Sequence, residues 1–152
     1  MAAAYCIYHG PDGLTRIATR TAAMADTVAE VMAARGASVV GAGDAGVSRF
    51  DTVAFSVASA EEAEAARVHC EARGFNIRVL SEETGSPVGA AVAVSMDETV
   101  TRADVLGLVS ALSECSGVAS GGGALVGWGW EGAVGRVRWG GWGGEGAVGR
   151  VR

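Results

Sequence analysis

A long amphipathic helix near the amino terminus is the feature that most constrains this chain. Residues 1–7 form a short apolar end of a preceding element, and Gly10 and Pro11 break it. The Asp12 carboxylate can then cap the first N–H groups of a new helix. Apolar positions follow at three- and four-residue spacing, which places them on one helix face. They are Leu14, Ile17, Thr21, Met24, Val28, Val31 and Met32. With Gly36 as a left-handed stop, the pattern predicts a helix over residues 12–35, roughly 35 Å long and able to reach a neighbouring domain.

Strand and helix patterns alternate beyond this helix. Two more helices carry capping signals: Ser59 with Glu62 fits a capping box, and Thr101 pairs with Asp104 at the reciprocal position. The first is expected to end near Arg73, before Gly74. The apolar stripe of the second is Val105, Leu108, Val109 and Leu112. Candidate strands lie at residues 39–40, 52–57, 75–80 and 90–96.

This order predicts an α+β two-layer sandwich with a small, mostly antiparallel sheet and helices on one face, preceded by the long helix. We expect a linking helix over residues 1–36, a small α/β domain over residues 37–115 and a disordered tail over residues 116–152. The tail holds 14 of the 24 glycines and all four tryptophans, and residues 127–138 recur almost unchanged as 141–152. Glycine at this density makes backbone ordering costly.

Composition excludes several function classes. The net charge of −5 argues against nucleic acid as a partner. No apolar run approaches the ~18 residues of a membrane span, and no signal peptide or other targeting segment is apparent. Three scattered cysteines, Cys6, Cys70 and Cys115, suit a reducing compartment. All twelve basic residues are arginine, so chemistry that needs an amine nucleophile cannot be done by this chain alone.

Two motifs suggest cofactor or metal sites, and both have simpler interpretations. Residues 41–46 match G-x-G-x-x-G, but a strand pattern follows where a dinucleotide site needs a helix, which favours a glycine loop. Zinc is suggested by Cys6, His9, His69 and Cys70. His69 and Cys70 are adjacent on a helix and point about 100° apart, so they do not converge on one ion.

Three further groups of residues are candidates for function. His9, beside Tyr5 and Tyr8, could face a cofactor cleft or, as we favour, fix the helix entry as a buried loop residue. Asp97 and Glu98 could be paired carboxylates, but acidic residues before a helix more often serve its dipole. In the tail, four arginines interleaved with tryptophan could bind RNA, although a duplicated GC-rich DNA stretch explains the repeat more economically. They are Arg136, Arg138, Arg150 and Arg152.

Four stretches together resemble the P-protein family of the glycine cleavage system, glycine dehydrogenase (decarboxylating). They are residues 8–14 (YHGPDGL) with 16–18, residues 50–52 (FDT), residues 74–78 (GFNIR), and residues 96–101 (MDETVT) with 104–105. They occur in the family's order over residues 1 to about 113. The resemblance is to the amino-terminal half of the long P-protein, or to the corresponding separate subunit.

The resemblance implies a pyridoxal-phosphate enzyme of the aspartate-aminotransferase fold (fold type I), of which this chain would be the small domain of the first half. The family decarboxylates glycine and passes the aminomethyl group to the lipoyl arm of H-protein. The family's cofactor lysine lies in the other half, so pyridoxal phosphate would bind outside this chain, and the remainder of P-protein and H-protein would be its partners.

The resemblance therefore assigns no catalytic, cofactor-binding or metal-binding residue here. It implies the mitochondrial matrix in a eukaryote or the cytoplasm in a bacterium. The isolated chain is expected to be inactive and, with the helix stripe exposed, to self-associate. The alternative is a free-standing small-molecule-binding or regulatory α+β module that dimerises.

Overall fold

The fold combines three helices with a four-stranded sheet in the part of the chain that the structure, a computed structural model, describes: residues 2–42, 49–81 and 88–119. Its elements in chain order are α1 (Ala2–Ala33), β1 (Ser38–Val39), β2 (Thr52–Ser56), α2 (Ala60–Glu71), β3 (Arg78–Leu80), β4 (Ala91–Ser95) and α3 (Arg102–Ser113). Within those ranges, no helix has the length and apolar character that crossing a bilayer requires.

Helix α1 is two helical segments joined at a sharp break. Gly10, with φ 63° and ψ 177°, is the non-helical residue between them, in a region of backbone space that is essentially restricted to glycine. The predicted break is confirmed, but the second segment starts at Pro11, where a missing N–H costs nothing. Asp12 therefore lies inside the first turn and does not precede it, and the residues before Gly10 are helical as well.

The predicted stops at Gly36 and Gly74 are confirmed as Schellman motifs. Gly36, with φ 84°, donates its N–H to Ala33 O at 2.9 Å, and the next residue, Ala37, donates to Met32 O at 3.0 Å. Gly74 and Phe75 repeat this pair of bonds at the end of α2. In both motifs the backbone satisfies carbonyls that the end of a helix otherwise leaves unpaired.

The capping signals of α2 and α3 are largely confirmed. Thr101 and Asp104 form both halves of a capping box at α3, with Asp104 Oδ2 accepting from Thr101 N at 2.8 Å. Ser59 Oγ accepts from Glu62 N at 3.3 Å at α2. The Glu62 carboxylate, however, accepts from the N–H of Ala58 at 3.0 Å, one residue earlier than a capping box requires.

The sheet has the order β1-β2-β4-β3, with every neighbouring pair antiparallel. In the central pair, Val53 lies opposite Val94 and Phe55 opposite Val92, and all four side chains are buried. Helix side chains complete the core against them; among these are Met24, Val28, Met32, Ala66, Val105, Leu108 and Leu112. The predicted α+β class is therefore confirmed.

One strand is shorter than its sequence pattern predicts. Strand β3 begins at Arg78, not at Phe75, because the backbone of Phe75 completes the stop of α2. The Phe75 ring also lies against Gly107 of α3, where a built Cβ would sit 2.6 Å from Cζ of the ring. Residues 43–48 of the glycine loop, residues 82–87 and residues 120–152 of the repeat tail lie outside the described residues.

Candidate functional site

The candidate site is a junction where the start of α1 meets the loop between β4 and α3. The phenol of Tyr5 donates to Glu98 Oε1 at 2.9 Å. Arg20, 15 residues further along α1, donates to Glu98 O at 2.8 Å and to Val100 O at 2.7 Å. This junction, formed by Tyr5, His9, Arg20, Asp97 and Glu98, joins residues that flank the first of the four family stretches, Tyr5 and Arg20, to the last of them.

His9 fills the space beside the break in α1. Its ring lies 4.3 Å from that of Tyr5, tilted by 53°, and 5.0 Å from that of Tyr8, edge to face. Gly13 gives it room, since a built Cβ there would approach His9 Cβ to 3.1 Å. His9 is half-buried and helical, so the expectation of a buried loop residue is wrong. Its packing between two tyrosines fits a role in fixing how the chain enters the second segment.

The two carboxylates of the junction have separate partners. Asp97 Oδ1 accepts from Thr99 N at 2.8 Å and from Thr99 Oγ1 at 2.6 Å, which closes a local turn. Glu98 accepts from Tyr5, and this hydrogen bond, with burial and the negative charge of Glu98, raises the pKa of Tyr5 above 10.0. Asp97 therefore stabilises a turn, and Glu98 orients the first segment of α1. The two carboxylates are not paired with each other, as acid–base catalysis by a carboxylate pair would require.

Arg20 is the junction residue that the sequence does not reveal. It lies beside Thr21 of the buried stripe, and its partners are main-chain carbonyls 78 and 80 residues away. Every residue type has a backbone carbonyl, so the residue types at those positions do not show that these carbonyls accept hydrogen bonds. Its side chain replaces water on two carbonyls of an irregular loop, which stabilises that loop against α1.

A second polar cluster lies where α2 and α3 end. Glu114 accepts a charge-assisted hydrogen bond from Arg73 and lies 3.4 Å from His69 Nε2, while Arg73 Nη1 lies 3.2 Å from His69 Nδ1. Beside them, a hydrogen bond with Cys115, together with burial, raises the pKa of Cys70. Among the described residues, no group of three or more histidine, cysteine or acidic side chains could hold a metal ion.

The cysteines and histidines of the zinc hypothesis are divided between these two places. Cys6 is exposed on the first segment of α1, close in sequence to His9, whereas buried Cys70 and neighbouring His69 lie in the last turn of α2. The carboxylate that faces His69 comes from Glu114, beyond α3. The fold therefore does not gather these four residues around one ion. The four arginines of the tail lie outside the described residues.

Comparison with known proteins now decides the family. The sequence model of the glycine cleavage system P-protein matches residues 1–112, which include both parts of the junction. The chain belongs to the glycine cleavage system P-protein family. Curated P-protein relatives from three bacteria are each named glycine dehydrogenase (decarboxylating). That of Xanthomonas oryzae pv. oryzae is 41% identical over 108 residues, that of Stenotrophomonas maltophilia (strain R551-3) 38% over 112, and that of Brucella canis 40% over 110.

These P-protein relatives are much longer than this chain. The matches cover 71% of the chain but 9% of the Xanthomonas protein, and 72% of the chain but 10% of the Stenotrophomonas and Brucella proteins. The chain thus spans about a tenth of the length of the P-proteins that it matches. The P-protein family match ends at residue 112, so the repeat tail lies outside it.

Proposed function

We propose that this chain is the small domain of the amino-terminal half of a P-protein and serves there as a supporting lobe. In this proposal the whole enzyme uses pyridoxal phosphate to decarboxylate glycine and transfers the aminomethyl group to the lipoyl arm of H-protein. The family match over residues 1–112 is the observation that carries it. The division into a linking helix over residues 1–36, the domain over residues 37–115 and the repeat tail over residues 116–152 belongs to the same proposal.

The residues of this chain do not fit a covalent site for pyridoxal phosphate. The chain contains no lysine, and a covalent link to the coenzyme needs a side-chain amine. The groups best placed to orient a ligand are already engaged, since Arg20 donates to two backbone carbonyls and Glu98 accepts from Tyr5. We therefore place the coenzyme and its lysine in other parts of the P-protein.

In this proposal the lobe contributes by fixing the position and direction of helix α1. The core fixes the second segment of α1 through Met24, Val28 and Met32, all fully buried. The junction then sets the direction in which the first segment leaves the domain. A rigid lobe of this kind can position neighbouring parts of an enzyme without contacting the substrate.

The first test is the chemistry of the isolated chain. We expect the purified protein, mixed with pyridoxal phosphate and dialysed, to retain no coenzyme absorbance and to release no labelled carbon dioxide from carboxyl-labelled glycine. The P-protein of Xanthomonas oryzae provides the positive control. A coenzyme band that survives dialysis would overturn the proposal, because it would place a binding site within this chain.

The second test asks whether the domain works in a whole enzyme. A chimera is made in which the 108 matched residues of the Xanthomonas P-protein are replaced by the corresponding residues of this chain. We expect the folded chimera to decarboxylate glycine in the presence of H-protein. A folded chimera without activity would count against the proposal. A stable dimer of the isolated chain that binds a small ligand would instead support a free-standing module.

A further inference from the structure

The first segment of α1 exposes apolar surface that the domain does not cover. Every residue from Ala2 to Tyr8 is exposed, with Ile7 at 84% and Tyr8 at 76% of full exposure. No aspartate, glutamate, lysine or arginine precedes Asp12. The side chains of Tyr5, Ile7 and Tyr8, which we call the N-terminal patch, therefore present an uncharged face to water, and large exposed apolar faces usually mark interaction sites.

This segment is too short to be a stable helix without a partner. Helices shorter than about 12–15 residues are marginal in water, and the break at Gly10 separates this one from the rest of α1. The second segment differs, since it buries Met24, Val28 and Met32 in the core. The Tyr5–Glu98 hydrogen bond orients the first segment but leaves Ile7 and Tyr8 exposed.

The size of the N-terminal patch favours a partner within the same polypeptide over a second copy. A buried tyrosine covers about 150–250 Å², so the three side chains fall short of the roughly 800 Å² per partner of a standard interface. An intramolecular contact avoids the loss of translational and rotational freedom that association requires. The family match includes this segment, and about nine-tenths of the Xanthomonas relative lies outside the matched region.

We propose that the N-terminal patch is a docking surface for an apolar face of another part of the same P-protein polypeptide. This inference rests on the proposed function and names the surface through which the lobe joins the rest of the enzyme. Ile7 and Tyr8 supply the buried contact, and the Tyr5–Glu98 hydrogen bond sets its direction.

Hydrogen exchange in the chimera described above tests the proposal directly. The amides of residues 2–9 should exchange at least roughly tenfold more slowly in the chimera than in the isolated chain, because docking suppresses fraying of the segment. The double variant Ile7→Ser/Tyr8→Ser should lose this protection. The matched control is Val68→Ser, which changes an apolar residue of α2 that is 53% exposed and should leave the protection unchanged.

The outcomes separate the docking surface from the proposed function. Protection of residues 2–9 in a chimera that does not decarboxylate glycine would support docking and count against the function. An active chimera in which residues 2–9 exchange as fast as in the isolated chain would overturn docking and leave the function standing. If protection of residues 2–9 in the isolated chain rose with its concentration, a second copy of the chain would be covering the N-terminal patch. That result would also overturn the docking proposal.

A measurement on the isolated chain needs no chimera. Because Ile7 is 84% exposed there, Ile7→Ser should leave the urea midpoint where Val68→Ser leaves it. A clearly lower midpoint for Ile7→Ser would show that Ile7 already packs within the chain, which would overturn the proposal.

Discussion

At the scale of single residues, the junction depends on a few side chains that each have a defined partner. Tyr5 donates to the Glu98 carboxylate, and Asp97 closes its own turn with Thr99. The sequence identifies Tyr5, His9, Asp97 and Glu98 as candidates but cannot pair them, since Tyr5 and Glu98 are 93 residues apart. Pairing at that separation is a property of the fold, and residue types and local spacing do not encode it.

The Tyr5–Glu98 hydrogen bond predicts an altered tyrosine titration. The chain has two tyrosines, so a Tyr8→Phe background isolates Tyr5. The hydrogen bond and the adjacent negative charge favour the protonated phenol, so the near-ultraviolet titration midpoint of Tyr5 should lie above 10.0. Adding Glu98→Gln should lower that midpoint. Adding Glu61→Gln, a change at an exposed carboxylate of α2, should not, and a midpoint indifferent to Glu98 would refute the contact.

At the scale of elements, most local signals were accurate, whereas long-range packing was not visible. The stops at Gly36 and Gly74 and the cap at Thr101 were predictable because each is built from residues within one helical turn or so. The late start of β3 follows from the same stop of α2, which uses the Phe75 N–H, but the packing of the Phe75 ring against Gly107 of another helix was not predictable. A period-two pattern over residues 75–80 contains no information about that contact.

The Phe75–Gly107 contact predicts a substitution whose effect changes sign with its background. In a helix interior, glycine to alanine normally stabilises by about 1 kcal/mol. At Gly107 the new methyl group would meet the Phe75 ring, and overpacking costs about 1–3 kcal/mol. Gly107→Ala should therefore destabilise the chain by up to about 2 kcal/mol in urea unfolding.

The same substitution in a Phe75→Ala background provides the control. Without the ring, Gly107→Ala should become stabilising by about 1 kcal/mol. If Gly107→Ala had the same effect in both backgrounds, the two residues would not be in contact.

At the scale of the whole molecule, the predicted exposure of the α1 stripe was wrong for most of its length. Met24, Val28 and Val31 are buried by the domain itself, whereas Leu14 and Ile17 are half-buried. The two most exposed large apolar side chains of the described residues, Ile7 and Tyr8, lie earlier, in the N-terminal patch. The three- and four-residue spacing correctly identified one helix face. It could not show which part of that face is covered by the sheet and the other helices of the chain.

Arg20 connects distant parts of the molecule and should affect global stability. It donates to the carbonyls of Glu98 and Val100 across about 80 residues of chain. Arg20→Met removes both hydrogen bonds, and water can replace Arg20 at the exposed Glu98 carbonyl more readily than at Val100, so the loss should be about 1–3 kcal/mol of unfolding free energy. Arg16→Met, at an exposed position of the same helix, should cost well under 1 kcal/mol. Equal losses in the two variants would show that the carbonyl contacts do not stabilise the domain.

The pairing of β2 with β4 determines the order in which this domain can assemble. Residues 57–90, which include α2 and β3, lie between the two central strands in the sequence. The entropy of closing that long loop must therefore be lost before either strand gains its central partner. Helix α2, whose cap and stop are local, can form earlier and shorten the loop. We therefore expect the meeting of the central strands to be the slow step of assembly, with the edge strands β1 and β3 adding to a pair that already exists.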